Sequence, residues 1–487
     1  MERLRQAAGA SQHGGDRVNA VAPDTLAPPT VLDALDTRLE ADLTALLAFV
    51  RIPSVSADPR HAGDVRAAAE HIATRLRGAG PLDVTVMPTS GNPVVCARWL
   101  GAQDAPTIVI YGHYDVQPPD PVERWTSPPF EPTIRDGRIY ARGVSDDKAP
   151  LSIAIDVVAA YFDRVGRLPV NVVFLLEGEE EIGSPSLPDF LAQHRARFAA
   201  DLVVSADGGM WRADHPTTIR STRGLAAFEL TVRGAAKDLH SGRHGGGIAN
   251  PLHALAQLIA GLHDTDGRVS VAGFHDEVAS LPQAVREAVR SLPFDEAGYL
   301  DEVGAPAPHG EAGYSTLERQ WYRPTLEVNG MWGGYTGAGS KTVVPSEAHA
   351  KITCRLVARQ DPARVVDAIE RHLRQRVPAG VTMAVRRSDH GAAAYHLPEH
   401  HPGLRAVVGA LHATYRQEPW VIGLGGTIPI CETFQRQLGM DTVFFSFSVG
   451  DEDIHSPNEF FRLARFAEGR RAWADLLARL PGELGHG

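Results

Sequence analysis

Apolar positions near the start of the chain recur at helical spacing: Val31, Leu32, Leu35, Leu39, Leu43, Leu46, Leu47 and Val50 form one stripe, which stops before Ile52-Pro53-Ser54. Asp64 to Leu76 repeats that period and is closed by Gly78 and Gly80. The pattern then shortens to runs of β-branched residues at Val84–Met87, Val94–Leu100 and Thr107–Tyr111, read as strands. An apolar helix at Pro150–Phe162, a buried strand at Val170–Leu176, a helix at Leu187–Phe198 and a strand at Asp201–Ser205 continue the alternation. Strands alternating with helices predict an α/β fold built on a doubly wound or mixed sheet.

The character changes near Asp214-His215-Pro216. Ala226–Arg233 alternates as a half-exposed strand, and Asn250-Pro251 supplies N-cap and first-turn chemistry for a helix reaching Leu262. An irregular stretch is expected over 264–324. Strands follow at Thr325–Asn329 and His349–Val357, then a helix at Pro362–Arg374 and a strand at Val381–Arg387. This second group reads as a small α+β domain inserted into the first. A helix near His401-Pro402, a buried strand at Thr442–Ser446 and a C-terminal helix from Glu459 return to the earlier pattern. The expected division is a disordered arm over 1–28, a first part of the larger domain over 29–214, an insertion over 215–395 and a second part of the larger domain over 396–487.

Composition narrows the class. A chain of 487 residues exceeds the size of one hydrophobic core, so two domains are the default. A net charge of −11 with no basic patch argues against a nucleic-acid partner. Three cysteines without Cys-x-x-Cys spacing make no disulfide framework, and Cys96 and Cys354 lie in strand-like runs that suit buried, inert thiols. No secretory signal or membrane-spanning run is read in the sequence, which points to a cytoplasmic protein.

The candidate chemistry sits where apolar strands end. Gly112-His113-Tyr-Asp115 closes the run from Thr107, and the Pro-rich segment after it breaks the strand so that both side chains turn toward one place. Asp146 stands in Arg142-Gly-Val-Ser-Asp-Asp-Lys148, just before the apolar helix. Glu177-Gly-Glu179-Glu180-Glu181 continues a buried strand, Asp207 follows another, and His455 follows the strand at 442–446. Four glutamates at a strand end repel one another unless cations compensate. Two imidazoles and several carboxylates at strand ends form an N/O set suited to zinc or another borderline divalent metal. Open α/β sheets bind ligands at that edge.

These motifs, in this order over residues 31–480, resemble the two-metal metallopeptidases that include carnosinases, bacterial dipeptidases, acetylornithine deacetylase, succinyl-diaminopimelate desuccinylase and aminoacylases. The carnosinase-like dipeptidase branch is most similar, through Gly112–Pro118, Arg142–Lys148, Leu176–Ser184, Lys237-Asp-Leu-His240-Ser-Gly242 and His455-Ser-Pro-Asn-Glu459. The resemblance implies a mixed-sheet zinc-peptidase catalytic domain with an inserted lid and dimerisation domain. It implies two divalent metals, zinc by default and manganese or cobalt as alternatives. Asp146 would bridge them, with His113 and Asp207 completing one metal and Glu181 and His455 the other. Glu180 would be the general base acting on the bridging water, and Asp115 the carboxylate that orients His113. Glu179 is read as a surface acid outside the site.

The resemblance further implies a homodimer in which His240 reaches the partner's active site. Thr342, Arg355, His390, Gly426 and Thr427 match substrate-binding positions, with Arg355 suited to the substrate's carboxylate. Dipeptides or short peptides with a free C-terminal carboxylate are the implied substrates, and N-acyl amino acids the alternative. One departure is Leu424, which stands where dipeptidases of this branch commonly carry an acid before the Gly-Gly pair. It bears on the substrate's amino end, not on the ligands.

Overall fold

The computed structural model describes residues 24–388 and 391–485. Ten strands carry its two main sheets: β1 Asp83–Met87, β2 Val94–Trp99, β3 Thr107–His113, β4 Asn171–Glu177, β5 Leu202–Ser205, β6 Gly224–Arg233, β7 Thr325–Gly333, β8 Glu347–Leu356, β9 Thr382–Arg387 and β10 Thr442–Phe444. The chain forms two compact units. One comprises residues up to Arg220, Leu397–Val421 and the chain from Thr433. The other comprises Ser221–His396 and Ile422–Glu432. The short return at 422–432, which includes Leu424, Gly426 and Thr427, thus packs with the inserted unit and not with the segments flanking it in sequence.

The first unit is built on a six-stranded sheet in the order β1-β2-β4-β3-β5-β10. β4, β3, β5 and β10 run parallel, while β1 and β2 run antiparallel at one edge. Parallel strands need both faces covered, and every residue of β4 is buried. The helix Ala149–Val165 shows the same demand. It is buried at each position from Ala149 to Tyr161 and packs against Pro29–Val50, Ala62–Ala79 and Leu463–Glu483. Register matters for function here, because His113 lies opposite Glu177 and Tyr111 opposite Ser205. All four parallel strands therefore end at one edge.

The second unit holds an antiparallel sheet in the order β7-β8-β6-β9. β6 alternates in burial, and Ala226, Phe228, Leu230 and Val232 face a core shared with the helices Pro251–Ala260 and Pro362–Arg374. Cys96 in β2 and Cys354 in β8 are fully buried and unpaired, as their strand context suggests.

Two expectations need correction. The stretch 264–324 is not irregular throughout: it contains helices Gln283–Ser291, Glu296–Val303 and Thr316–Tyr322. The first buries only Val289 and the second buries nothing, so neither carries a broad apolar stripe. The third has a capping box between Ser315 and Glu318, a signal that was present in the sequence. The last helix starts at Leu463, not Glu459. Glu459 is buried, and Phe460–Arg462 pair as a short strand with Arg138–Tyr140.

Candidate active site

Five histidine and carboxylate side chains converge at the carboxyl edge of the parallel sheet, all within the first unit. His113 ends β3 and is fully buried. Its Nε2 lies 2.9 Å from Asp146 Oδ1. The other oxygen of that carboxylate, Oδ2, lies 3.0 Å from Nε2 of His455. His455 in turn lies 3.3 Å from Glu181 Oε2. Asp146 thus turns one oxygen toward each imidazole, the arrangement a carboxylate shared between two cations adopts. Ligand atoms of His113, Asp146 and Asp207 lie within 4.8 Å of one another, and so do those of Asp146, Glu181 and His455. The donor set is two nitrogens with carboxylate oxygens, suited to zinc, manganese or cobalt.

The local backbone explains how these residues meet. Asp146 stands in a turn of non-helical residues between Gly143, at φ 75°, and the helix from Ala149, with a cis peptide to Asp147. Glu180 and Glu181 occupy a single 3-10 turn three residues beyond β4. Asp207 follows β5. His455 sits in a loop where Asp453, His455 and Asn458 all adopt positive φ, so the chain after β10 folds back on itself. Its side chain is half exposed, which leaves the edge open to solvent.

Asp115 does more than orient an imidazole. Its carboxylate accepts from Ser56 Oγ at 2.6 Å and from the backbone N–H of Glu180 and Glu181 at 3.2 and 3.1 Å. The imidazole Nδ1 of His113 lies 3.1 Å from the Asp115 carbonyl oxygen and 3.4 Å from Oδ1. One buried carboxylate therefore holds a ligand from β3 and the turn after β4 in register. Gln117 supports the same turn, donating to Glu181 Oε2 at 2.8 Å.

The electrostatics are those of buried carboxylates and imidazoles crowded together. Burial opposes ionisation of Asp146, yet the hydrogen bonds of His113 and His455 outweigh it and hold its carboxyl below the usual range. Burial also opposes protonation of His113, and the carboxylates of Asp115 and Asp146 overcome it and raise the imidazole well above its usual value. Hydrogen bonds to Asp146 and Glu181 push His455 up to about 10. Burial pushes Asp207 up to about 6, with Asp146 and Glu181 adding to the rise. Glu180 rises well above the carboxylate range through burial, reinforced by Asp207, Asp146 and Glu181. Closely spaced carboxylates holding protons at this edge are what divalent cations would replace.

Sequence reading missed the residues that hold Asp146. Glu459 is fully buried and accepts from Arg142 Nη1, Gly143 N and Ser145 N at 2.7, 2.8 and 2.9 Å, and from Asp146 N at 3.3 Å. Glu452, equally buried, accepts from Ser145 Oγ at 2.6 Å. Both belong to an acidic loop whose spacing says nothing about which acids turn inward. Glu179 corrects an expectation: it is not a surface acid but is buried, accepting from Asn92 N and Ser186 N. Its carboxylate is consumed in fastening the loops beside the site.

The remaining predicted residues lie in the second unit, in two groups. His240 is paired through the ribbon Leu239–His240 with Val343–Val344, and Ser241 N donates to Thr342 O, so His240 and Thr342 are neighbours. Both are exposed. Arg355 Nη1 donates to Thr427 Oγ1 at 2.7 Å, and the adjacent Gly426 carbonyl accepts from Arg223 N. His390 lies outside the described residues.

Comparison with known proteins finds relatives that match most of the chain. The chain is 28% identical over 454 residues to a Cys-Gly metallodipeptidase of Schizosaccharomyces pombe, covering 90% of this chain and 95% of that one. It is 29% identical over 393 residues to the human Beta-Ala-His dipeptidase, covering 78% and 76%. Among solved structures, an M20 family metallo-carboxypeptidase from Sulfolobus solfataricus superposes with a TM-score of 0.78 at 31% identity, covering 90% of this chain and 99% of that one. The model of peptidase family M20/M25/M40 matches residues 109–479, a span that includes every ligand position described above, and the chain belongs to that family and is a peptidase.

Proposed function

We propose that this protein is a dinuclear metallodipeptidase that cleaves dipeptides or short peptides bearing a free C-terminal carboxylate. The observation that carries the reading is Asp146, placed between two three-residue ligand groups with one oxygen toward each imidazole. His113, Asp146 and Asp207 would hold one ion, and Asp146, Glu181 and His455 the other. Zinc is the default, with manganese or cobalt as alternatives. Bound there, two divalent cations supply Lewis acidity that polarises the scissile carbonyl and acidifies water.

Glu180 is the proton carrier. Its carboxyl sits beside both ligand groups, and burial among acids gives it a high proton affinity, suited to taking a proton from the attacking water and delivering it to the leaving amine. Asp115 fixes that base and the ligand His113 through one carboxylate. Arg355, steadied by Thr427 beside Gly426, is assigned to the substrate's carboxylate, and Thr342 and His390 are assigned to substrate binding on the family resemblance alone. The relatives described above are dipeptidases and a carboxypeptidase, which supports a peptide substrate over an N-acyl amino acid.

A homodimer, with His240 serving the partner's site, completes the proposal. It is supported by β7, an edge strand on which Val328, Met331 and Trp332 are 39–45% exposed. Edge strands with apolar side chains are normally covered. No helix among the described residues is long and apolar enough to cross a membrane. Cys96 and Cys354, buried thiols outside any disulfide, suit a cytoplasmic setting.

The deciding experiment is a hydrolysis screen of dipeptides against N-acyl amino acids after metal removal and readdition. Turnover of dipeptides that returns with metal is expected. Preference for N-acyl amino acids would make the protein a deacylase, and turnover of neither class would sink the proposal. Glu180→Gln should keep its metal content yet lose about 10²–10⁴-fold in kcat.

A further inference from the structure

On β8, Ile352 and Cys354 enter the core of the second unit, so Thr353 and Arg355 point from the opposite face of the sheet. There they line a cavity of about 480 Å³ together with Arg223, Arg268, Arg319 and Arg323. Five arginines face two glutamates, Glu311 and Glu327. Glu311 is already engaged: it takes both arms of Arg323 at 2.7 and 2.8 Å and lies 3.5 Å from Arg268. Arg319 donates only to the carbonyls of Glu311 and His309. Arg223 donates only to the carbonyls of Gly425, Arg319 and Arg323, and Arg355 only to the Thr427 hydroxyl.

Among the described residues, then, three guanidinium groups around this hollow have no carboxylate at ion-pair distance. Arg223 feels the deficit. Burial first, and the charge of Arg355 second, lower its pKa to about 10, against the opposing charge of Glu327 on the same wall. Like charges held together in a partly desolvated wall repel, and an anion placed among them removes that cost. A single carboxylate satisfies one guanidinium fork, so the second and third call for more than one negative group.

We propose that this cavity binds a small dianion of the dicarboxylate class. Resting on the function proposed above, which gives Arg355 the substrate's terminal carboxylate, the source would be a peptide whose released residue is Asp or Glu. The other source is a free dicarboxylate bound as an effector, and the two are separable. The metal-loaded protein is titrated calorimetrically with succinate, propionate and succinamide at constant ionic strength, with the metal-free protein as a control for binding at the ions. Saturable succinate binding in both forms, about tenfold tighter than propionate, is expected. Equal, weak binding of all three would overturn the site. Arg223→Met should weaken succinate about tenfold. Because Arg223 also holds the loop at Gly425, Arg268→Gln is the second variant. That side chain is 49% exposed on the rim and should weaken binding a few-fold without unfolding. Unchanged succinate binding in both variants also overturns the site.

Hydrolysis then assigns the source. A preference of about tenfold for Xaa-Asp over Xaa-Asn, reduced in Arg268→Gln, places the second carboxylate on the substrate. Succinate binding without that preference makes the cavity a free-anion site. If no dipeptide is hydrolysed, the peptidase reading fails while the succinate titration still tests the cavity.

Discussion

Glu459→Gln removes one negative charge from the buried cluster that holds Asp146, at almost no change in volume. Oε2 of Glu459 accepts from Arg142 and Gly143, and Oε1 from Ser145 and Asp146. The amide keeps one oxygen, best placed toward Arg142. Its NH₂ then faces two backbone N–H groups, donor against donor. Arg142 is 1% exposed and would be left without a countercharge, keeping only neutral acceptors, the amide oxygen and the Pro118 carbonyl. Breaking a buried pair this way costs about 3–5 kcal/mol. Leaving a backbone N–H unsatisfied adds about 1–3 kcal/mol. Against a total stability of about 5–15 kcal/mol, the variant should approach the edge of folding. Urea unfolding at pH 8 with a chelator present measures the loss free of metal linkage, and Arg142→Met with Glu459→Gln as a double-mutant cycle isolates the pair. A loss below about 1 kcal/mol, or purely additive effects, would refute the claim that this ion pair organises the loop bearing Asp146. In the folded fraction, metal affinity should also fall, because Asp146 loses its backbone anchor.

Further outcomes follow from the same contacts. Asp115→Asn should lower metal affinity about 10–100-fold by replacing an acceptor of two backbone N–H groups with an amide, read by competition with a chromogenic chelator. Metal affinity should rise with pH. Asp207, at about 6, and His455, at about 10, must lose protons to bind a cation, so a dissociation constant that stays flat between pH 6 and 8 would contradict the ligand set. The raised His455 pKa also stabilises the metal-free fold below pH 6.5, and that contribution is lost as pH climbs toward 10, visible as a falling Tm that metal restores. Glu179→Ala should cost about 1–3 kcal/mol by stranding the N–H groups of Asn92 and Ser186, while leaving kcat of the folded enzyme within a few-fold, unlike Glu180→Gln. Leu424→Asp should shift kcat/KM toward substrates with a free amino end, and no change in that ratio would detach this position from specificity.

Part of the candidate ligand set was legible because its members follow an apolar run. A strand buried on both faces announces itself by composition, and a charged residue at its end has few structural reasons to be there. His113, Glu181 and Asp207 could be found that way. Asp146 and His455 needed the family resemblance, since they lie in loops without a strand directly before them. Glu179, Glu180 and Glu181 are indistinguishable in composition. The backbone of the single turn decides that Glu179 turns to Asn92 and Ser186 while Glu181 turns to His455. The helices at 283–303 escaped notice for a related reason, because they bury almost nothing and so leave no periodic stripe.

By itself, the chain determined the alternation of strands and helices, the change of character near residue 215, and which histidines and carboxylates are candidates to bind metal. Those features are local, written as periodicity and as short motifs. Tertiary structure alone decided which partners meet across long separations: Ser56 with Asp115, Arg142 with Glu459, and Arg223 with the loop at Gly425. It also decided that three arginines scattered over more than a hundred residues gather around one cavity with no carboxylate of the described residues at ion-pair distance. A lone charged residue carries no mark of its partner in sequence, because pairing depends on distance and burial, and those exist only once the sheets have formed.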